Sequence, residues 1–292
     1  MTTVGFIGLG IMGGPMSANL VKAGFDVVGY DITRPNVDAL VEQGGKGASS
    51  VADAVRDADV VITMLPNHPQ VEQVVFGEDG VLANASSGTL LIDMSTIRPE
   101  TSVAVAKAGG ERGIAVLDAP VSGGEAGAKQ AALSIMVGGN EADFASAKPL
   151  FDAVGKTIVH VGAHGAGQVV KAANQLVVGG TYALVSEAIV LLEASGVDPK
   201  AGMDVLAGGL AASRILDLKR DSMIAREFKP GFRIDLHHKD MGIVADAARA
   251  AEVALPVSGL VTQLVAAARA MGYGSLDHSA LLKVVEQLSS RS

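Results

Sequence analysis

Short apolar runs alternate with longer amphipathic segments through the first half of the chain. The runs are five to seven residues long and nearly all apolar, which is typical of strands buried on both faces of a sheet. They span residues 3–8, 26–30, 59–65, 89–94, 114–119, 134–139 and 157–162. Ala-rich stretches of helical length, such as 11–23 and 100–108, lie between most of them. The alternation predicts βαβ units and a doubly wound, mostly parallel sheet.

After Gly165 the apolar positions recur at helical spacing, and no further strand is predicted. Residues 166–195 form one apolar-rich run that predicts an unusually long helix ending at Gly196. Asp198 and Pro199 then have the residue types of a helix cap and a first helical position. Later helices are predicted over 199–207, 236–252, 256–271 and 278–289.

This change of pattern predicts two domains, an α/β domain over residues 1–163 and an all-helical domain over residues 164–292. The tract from Leu176 to Leu192 is about as long as a membrane span but contains Glu187, which would be costly in lipid. We therefore expect a buried core helix there.

The composition excludes several classes of protein and of site. The chain has 292 residues, no Cys, 3% aromatic residues and a net charge of −8. The lack of Cys excludes disulfide scaffolds, thiolate chemistry and cysteine zinc sites. The acidic balance argues against nucleic acid as a partner, because a basic patch is the expected footprint. No basic stretch precedes the first apolar residues, so we expect no secretory signal and a cytoplasmic protein.

The histidines do not form a pattern typical of a metal site. His237 and His238 are adjacent, so they point in different directions on a helix, whereas His160 and His164 straddle the predicted domain boundary. No carboxylate clusters with either pair in the sequence, and we expect no metal.

A GxGxxG motif follows the first predicted strand and begins the first predicted helix, as in dinucleotide-binding turns. Its first glycine permits a tight turn, its second lets the backbone approach a pyrophosphate, and its third lets the helix pack closely. The helix amino end supplies N–H groups to the phosphates. The alternative is a glycine-rich turn without a ligand. The candidate cofactor residues of this turn are Gly8, Leu9, Gly10, Ile11, Met12 and Gly13.

Asp31 ends the second predicted strand, at the spacing expected of a residue that binds the adenosine ribose. Its charge favours NAD, whereas Arg34 could hold the additional phosphate of NADP. Ligands of open parallel sheets bind outside the carboxyl ends of the strands. The predicted strand over residues 59–65 is the next one along the chain. Its carboxyl end should also face the cofactor, and it consists of Met64, Leu65 and the following Pro66.

Three further segments stand at strand ends or at the domain boundary: 93–96, 118–124 and 165–175. On a helix, Lys171, Asn174 and Gln175 would share one face at spacings of three and four residues. A lysine beside two amides is an unusual group for an apolar helix, although a lysine at a helix start is commonly a solvated surface residue. A Ser-Gly-Gly turn presents backbone N–H groups to a carboxylate.

The segments GFIGLGIMGGPM, DAPVSGG and GAGQVVKAANQ together resemble the β-hydroxyacid dehydrogenases, in the order and spacing of that family and across essentially the whole chain. The resemblance implies a Rossmann domain with NAD or NADP, a helical domain that carries much of the oligomer interface, and a homodimer or homotetramer. It also implies a small anionic hydroxyacid or semialdehyde as substrate.

The resemblance implies roles for matching residues. Lys171 would be the catalytic acid/base, and Asn174 would hydrogen-bond the substrate or orient that lysine. Thr96 would lie near the nicotinamide and the substrate. Lys239 matches a family lysine near the nicotinamide, although its stem could instead pack on an apolar stripe with its head in water. Several family members have Asn at the position of Gln175, so the role of this residue is open.

The same resemblance assigns the substrate carboxylate to three consecutive residues: Ser122, Gly123 and Gly124. Within the family, segments 208–219, 228–240 and 277–281 most resemble members that act on tartronate semialdehyde. Members that oxidise 3-hydroxyisobutyrate, or broader short-chain semialdehyde reductases, are the alternative. A cofactor-binding regulator without catalysis would be expected to lack Lys171, Ser122 or Thr96, and all three are present.

Overall fold

The computed structural model describes residues 1–291, which form two compact units. The first unit is Met1–Lys171 and the second begins at Ala172. The division therefore falls within a single helix.

The first unit contains a sheet of nine strands among the described residues, with the order β3-β2-β1-β4-β5-β6-β8-β7 and β9 beside β8. Strands β1 to β6 pair in parallel, β8 runs antiparallel to β6 and β7, and β9 is parallel to β8. The predicted doubly wound, mostly parallel sheet is confirmed. The strands are β1 (Thr3–Ile7), β2 (Asp26–Tyr30), β3 (Lys46–Gly47), β4 (Val60–Thr63), β5 (Leu90–Asp93), β6 (Ala115–Asp118), β7 (Val121–Ser122), β8 (Leu133–Gly139) and β9 (Gly155–Gly162).

Helices cover both faces of this sheet, so its apolar strands bury side chains in two cores. Phe6 and Ile7 are neighbours on β1 and enter different cores, because successive side chains of a strand point to opposite faces. Each fully buried side chain of this size contributes about 1.5–3 kcal/mol. The helices are α1 (Gly13–Lys22), α2 (Arg34–Glu42), α3 (Val51–Val55), α4 (His68–Phe76), α5 (Val81–Asn84), α6 (Pro99–Gly110), α7 (Gly124–Lys129) and α8 (Glu141–Val154).

The second unit is helical, as predicted. Asp198 accepts hydrogen bonds from the N–H groups of Lys200 and Ala201 and so caps its second helix, which confirms the predicted cap. A π-helical turn covers Arg269–Tyr273 and a 3₁₀ turn covers His278–Ala280. The α-helices are α9 (Ala166–Ala194), which starts in the first unit, α10 (Pro199–Ala207), α11 (Arg214–Ile224), α12 (Ile234–Ala250), α13 (Pro256–Ala268) and α14 (Leu281–Leu288).

Helix α9 is long and apolar enough to cross a membrane by length and composition alone, with 44% of its most apolar window buried. Tyr182 and Ile189 on one side are buried in the core of the helical unit. Val177, Leu184 and Leu191, each seven residues from the next, are about two-thirds exposed. The expected core helix is therefore buried along one side only.

Candidate functional site

The glycine-rich turn joins β1 to α1. Gly8 has φ +94, which an L-residue side chain disfavours, and a Cβ there would overlap the carbonyl oxygen of Met64. A Cβ on Gly13 would overlap the carbonyl oxygen of Gly8. A Cβ on Gly10, by contrast, would meet nothing within 4 Å. The turn is therefore tightly packed on its protein side and has open space at Gly10, as a backbone that approaches a pyrophosphate requires.

Asp31, the residue after β2, is hydrogen-bonded to this turn. Its Oδ2 accepts a hydrogen bond from the N–H of Leu9 at 2.7 Å, and its Oδ1 accepts one from the N–H of Thr33 at 2.7 Å. Arg34 is exposed, and its Nε lies 2.9 Å from Asp38 Oδ1. In the sheet, β1 and β4 are the neighbours at which the strand order reverses, and this is where open α/β sheets bind ligands.

The turns that follow β4 and β5 are linked by a serine. Ser95 Oγ accepts a hydrogen bond from the N–H of Leu65 at 2.9 Å. The N–H of Ser95 donates to Asp93 Oδ1 at 3.2 Å, and Thr63 Oγ1 donates to the same oxygen at 2.7 Å. Thr96, half-buried, directly follows this linked residue. The structure thus brings Gly8, Leu9, Asp31, Met64 and Leu65 together and links the last of them to the segment containing Thr96.

Asp93 ends β5 and is entirely buried. Burial, as the largest cause, raises the pKa of its carboxyl to about 6, although hydrogen bonds from Ser95 and Thr63 act against it. Its Oδ2 accepts no hydrogen bond from residues 1–291. Asp118, its partner in register on β6, also has a raised pKa caused by burial.

The Ser-Gly-Gly segment forms a tight turn between β7 and α7. Ser122 ends β7, Gly123 has φ +133 and Gly124 has φ +60. The two glycines supply left-handed backbone that other residues rarely adopt. Helix α7 begins at Gly124, so the turn is immediately followed by a helix start.

The amino end of α9 is held by the carboxylate of Asp118. Asp118 Oδ1 accepts from the N–H of Gly165 at 2.7 Å, and Oδ2 accepts from the N–H of Gln168 at 3.2 Å. A carboxylate at this end of a helix satisfies N–H groups that have no partner within the helix and complements the helix dipole. Lys171 follows in the second turn of α9 and is only 6% exposed. It is therefore not the solvated surface lysine that was the alternative.

Farther along α9, the two amides belong to a hydrogen-bonded chain within the helical unit. Asn174 Nδ2 donates to Gln175 Oε1 at 2.7 Å, and Gln175 Nε2 donates to Asp240 Oδ2 at 2.6 Å. Asp240 Oδ1 lies 2.8 Å from Lys239 Nζ. The structure thus brings Asn174, Gln175 and Lys239 together around the buried carboxylate of Asp240. The head of Lys239 is paired with that carboxylate, and its side chain is 17% exposed.

Two buried histidines lie beside this chain of hydrogen bonds. His237 Nε2 is 3.3 Å from the carbonyl oxygen of Gln175, and His237 Nδ1 is 3.1 Å from His278 Nδ1. The pKa of Asp277, next to His278, is lowered to about 2. Burial acts to raise this pKa, but the charge of His278 and the hydrogen bonds from Ser279 and Gly231 lower it by more. Among residues 1–291 no group of three or more His, Cys, Asp or Glu side chains could hold a metal ion.

Sequence reasoning gave no role to Asp93, Asp118, Gln168, Asp240 or His278. The first three stand in segments that the sequence singled out, at strand ends and at the start of α9. Asp240 could have been noticed as the carboxylate beside Lys239. Its contact with Gln175 spans 65 residues of sequence, and no local pattern reveals a pairing at that separation.

Comparison with known proteins adds independent findings. The family model described as the NAD binding domain of 6-phosphogluconate dehydrogenase matches residues 3–162. A second model, described as NAD-binding of NADP-dependent 3-hydroxyisobutyrate dehydrogenase, matches residues 165–285.

Individual relatives match along almost the entire chain. It is 42% identical to 2-hydroxy-3-oxopropionate reductase of Escherichia coli, covering 98% of each chain. It is 40% identical to 2-(hydroxymethyl)glutarate dehydrogenase of Eubacterium barkeri, covering 99% of this chain and 96% of the relative. Among solved structures, 3-hydroxyisobutyrate dehydrogenase of Mycobacterium tuberculosis with L-serine has a TM-score of 0.88 and 36% identity, covering 98% of this chain and 99% of that one.

Proposed function

Because this chain belongs to the β-hydroxyacid dehydrogenase family, we propose that it reduces tartronate semialdehyde (2-hydroxy-3-oxopropanoate) reversibly to glycerate. The family makes the chain an NAD(P)-dependent oxidoreductase that acts on hydroxyacids or their semialdehydes. The observation that carries the substrate is the similarity to 2-hydroxy-3-oxopropionate reductase of Escherichia coli along nearly the whole of both chains.

The cofactor is NAD(P), and the turn after β1 fits it, because the backbone at Gly10 borders open space at the start of a helix. When bound, the reduced nicotinamide supplies the hydride for the aldehyde carbon. Asp31 would bind the adenosine ribose, and NAD is favoured because its negative charge would repel an extra phosphate on that ribose. The further residues proposed to hold the cofactor are Gly8, Leu9, Ile11, Met12, Gly13, Met64, Leu65, Pro66, Thr96 and Lys239.

Lys171 is the proposed general acid/base. In reduction its ammonium Nζ donates a proton to the oxygen that becomes the hydroxyl. In oxidation the neutral amine accepts that proton. Its buried position limits the access of water, which would otherwise compete for the same proton.

The substrate carboxylate would be bound by backbone N–H groups of the turn formed by Ser122, Gly123 and Gly124. Asn174 donates from its Nδ2 to Gln175 Oε1, and Oδ1 is the acceptor atom of the same amide. An acceptor of this kind would recognise the 2-hydroxyl of tartronate semialdehyde, with Gln175 and Asp240 fixing the orientation of the amide. This recognition would select against a semialdehyde that has a methyl group instead, because the amide oxygen of the half-buried Asn174 would lose its donor.

The alternative function is 3-hydroxyisobutyrate dehydrogenase or a broader short-chain semialdehyde reductase. It is favoured by the structural match with the Mycobacterium tuberculosis enzyme. We also propose that the protein acts in the cytoplasm, as a homodimer or homotetramer, and needs no metal.

The experiment that tests the substrate is a kinetic panel with NADH and NADPH. Tartronate semialdehyde, methylmalonate semialdehyde, succinic semialdehyde and glyoxylate are compared by kcat/KM with each cofactor. We expect tartronate semialdehyde to have the highest kcat/KM, by at least about tenfold over methylmalonate semialdehyde. A preference for methylmalonate semialdehyde would instead assign the alternative function.

A further inference from the structure

The side chain of Gln168 holds the main chain on both sides of Thr96. Gln168 is the third residue of α9 and is 1% exposed. Its Nε2 donates to the carbonyl oxygen of Ser95 at 2.9 Å, and its Oε1 accepts from the N–H of Ile97 at 3.1 Å. These two groups belong to the two peptide units that flank Thr96. One amide therefore fixes the backbone dihedral angles of that residue, as a ladder partner does in a sheet.

The backbone of Gln168 is held separately. Its N–H donates to the carboxylate of Asp118 at the end of β6, beside the N–H of Gly165. Gln168 is thus attached to the segment after β5 by its side chain and to the end of β6 by its main chain. Lys171 lies three residues later, on the same face of α9, at a Cβ separation of about 5–6 Å.

The segment that Gln168 holds is also hydrogen-bonded to two neighbouring parts of the sheet. Ser95 is fully buried, and it is bonded to the turn after β4 through Leu65 and to β5 through Asp93. A displacement of Ser95 and Thr96 would therefore break several buried hydrogen bonds together. The link between Gln168 and this segment is correspondingly stiff.

We propose that Gln168 is a positioning residue for hydride transfer, which fixes Thr96 and Lys171 relative to each other without touching substrate or cofactor. The proposal rests on the proposed function in taking these two as site residues. An amide suits this task because it presents a donor and an acceptor together. A methionine of similar length presents no N–H donor, and an ionised glutamate presents two acceptors, one of them against the carbonyl of Ser95.

The test compares Gln168→Met and Gln168→Glu with the wild type, using whichever semialdehyde the panel identifies. Gln168→Met is expected to lower kcat by about 10- to 100-fold, because a small misplacement of reacting groups is costly. NADH affinity should change by less than about threefold. It can be read from nicotinamide fluorescence without interference, since the chain contains no Trp.

Gln168→Glu provides a rescue that depends on pH. A protonated carboxyl can donate to Ser95 and accept from Ile97, whereas the ionised form cannot donate. The ratio of its kcat to that of the wild type should therefore rise as the pH falls from about 8 to about 5.5, while the ratio for Gln168→Met stays flat.

Thr89→Val is the matched control. Thr89 is buried just before β5, at the opposite end from Asp93, and its Oγ1 donates to the carbonyl of Ala58 at 3.2 Å. Its replacement removes a buried hydrogen bond beside the same strand, and it should lower the melting temperature while leaving kcat near the wild-type value. A Gln168→Met variant that also kept wild-type kcat would overturn the proposal, as would a Gln168→Glu variant whose kcat stayed as low as that of Gln168→Met down to about pH 5.5.

Amide hydrogen exchange tests the positioning role of Gln168 without any substrate, so its result does not depend on which semialdehyde the protein reduces. Gln168→Met should accelerate amide exchange in residues 95–97 and 165–171, whereas Thr89→Val should not. If the wild type reduced no semialdehyde of the panel, the proposed function would fail and the exchange comparison would still decide whether Gln168 orders these segments. Unchanged exchange in both segments would overturn the positioning role.

Discussion

Two buried aspartates at neighbouring strand ends have different tasks because their hydrogen-bond partners differ. Both oxygens of Asp118 accept backbone N–H groups at the start of α9. Only one oxygen of Asp93 accepts hydrogen bonds from the described residues, and its pKa is raised to about 6. The carboxylate of Asp118 holds a helix, whereas the charge of Asp93 is poorly compensated.

Asp93→Asn tests this difference through the pH dependence of stability. A folded-state pKa of about 6, above the ordinary value of 3.8, means that the native protein binds the proton more tightly than the unfolded chain. The group therefore lowers the free energy of unfolding as the pH rises from about 4 to about 7, by up to about 3 kcal/mol. The Asn variant keeps an acceptor oxygen for Thr63 and Ser95. Because its side chain does not ionise, its free energy of unfolding does not fall in this way as the pH rises.

Urea unfolding of both proteins across that pH range gives the measurement. The stability of the Asn variant relative to the wild type should increase with pH. The exposed Asp57→Asn variant serves as control and should show no such trend. A constant difference between the Asp93 variant and the wild type would contradict the assignment of an ionising, uncompensated carboxyl.

Lys171→Met tests the proposed acid/base. Loss of a general acid typically costs about 10²- to 10⁴-fold, and we expect kcat to fall within that range. NADH binding should persist, because the glycine-rich turn is unaltered. Steady-state kinetics and nicotinamide fluorescence measure the two effects, with the exposed Lys107→Met as control. Near-normal turnover by the Lys171 variant would exclude the proposed role.

At the scale of elements, the pattern of apolar runs predicts most of the fold because the strands are buried on both faces. The long helix, predicted over 166–195, is observed over Ala166–Ala194. Strands β3 and β7 were not predicted, since two residues are too short to show a period. Helix α11 was also missed, because Arg214–Ile224 carries charges around much of its surface.

The predicted helix over 256–271 was too long at its end. The α-helix stops at Ala268 and continues only as a π-helical turn, in which Gly272 has φ +85. Glycine in the left-handed region ends a helix because it redirects the chain without a steric cost. A glycine inside a periodic run does not by itself end a helix, since α9 continues through Gly179 and Gly180, and periodicity does not show which glycine is left-handed.

For the candidate site too, local sequence patterns reveal the motifs but not the contacts between distant segments. Its motifs are contiguous, so the glycine-rich turn and the Lys171 face could be recognised in the sequence. Gln168 and Asp240 act through partners 65 to 73 residues away, which only the folded chain brings close. Their roles follow from which strand end or helix face they meet.

At the scale of the whole molecule, α9 leaves an apolar row uncovered in a single chain. Val177, Leu184 and Leu191 are each about two-thirds exposed and recur every seven residues. Such a spacing places them along one stripe of the helix, as in helices that pair with a second helix. This stripe is the surface we propose for the homo-oligomer.

Leu184→Glu should dissociate the proposed homo-oligomer, because a carboxylate at the centre of the stripe would be buried without a partner. Light scattering coupled to size-exclusion chromatography measures the mass, with Leu218→Glu on α11 as a matched exposed control. A wild-type protein that elutes as a monomer would contradict the oligomer itself. A Leu184→Glu variant that keeps the wild-type mass would instead exclude this stripe as the interface.

The two hydrogen bonds of Asp31 have a consequence for redesign of cofactor preference. An engineer seeking NADP dependence would ordinarily replace this acid, yet its carboxylate also anchors the N–H of Leu9 and so the glycine-rich turn. Removing the charge would loosen the turn for either cofactor. A redesign that replaces Asp31 must therefore supply another acceptor for the N–H of Leu9.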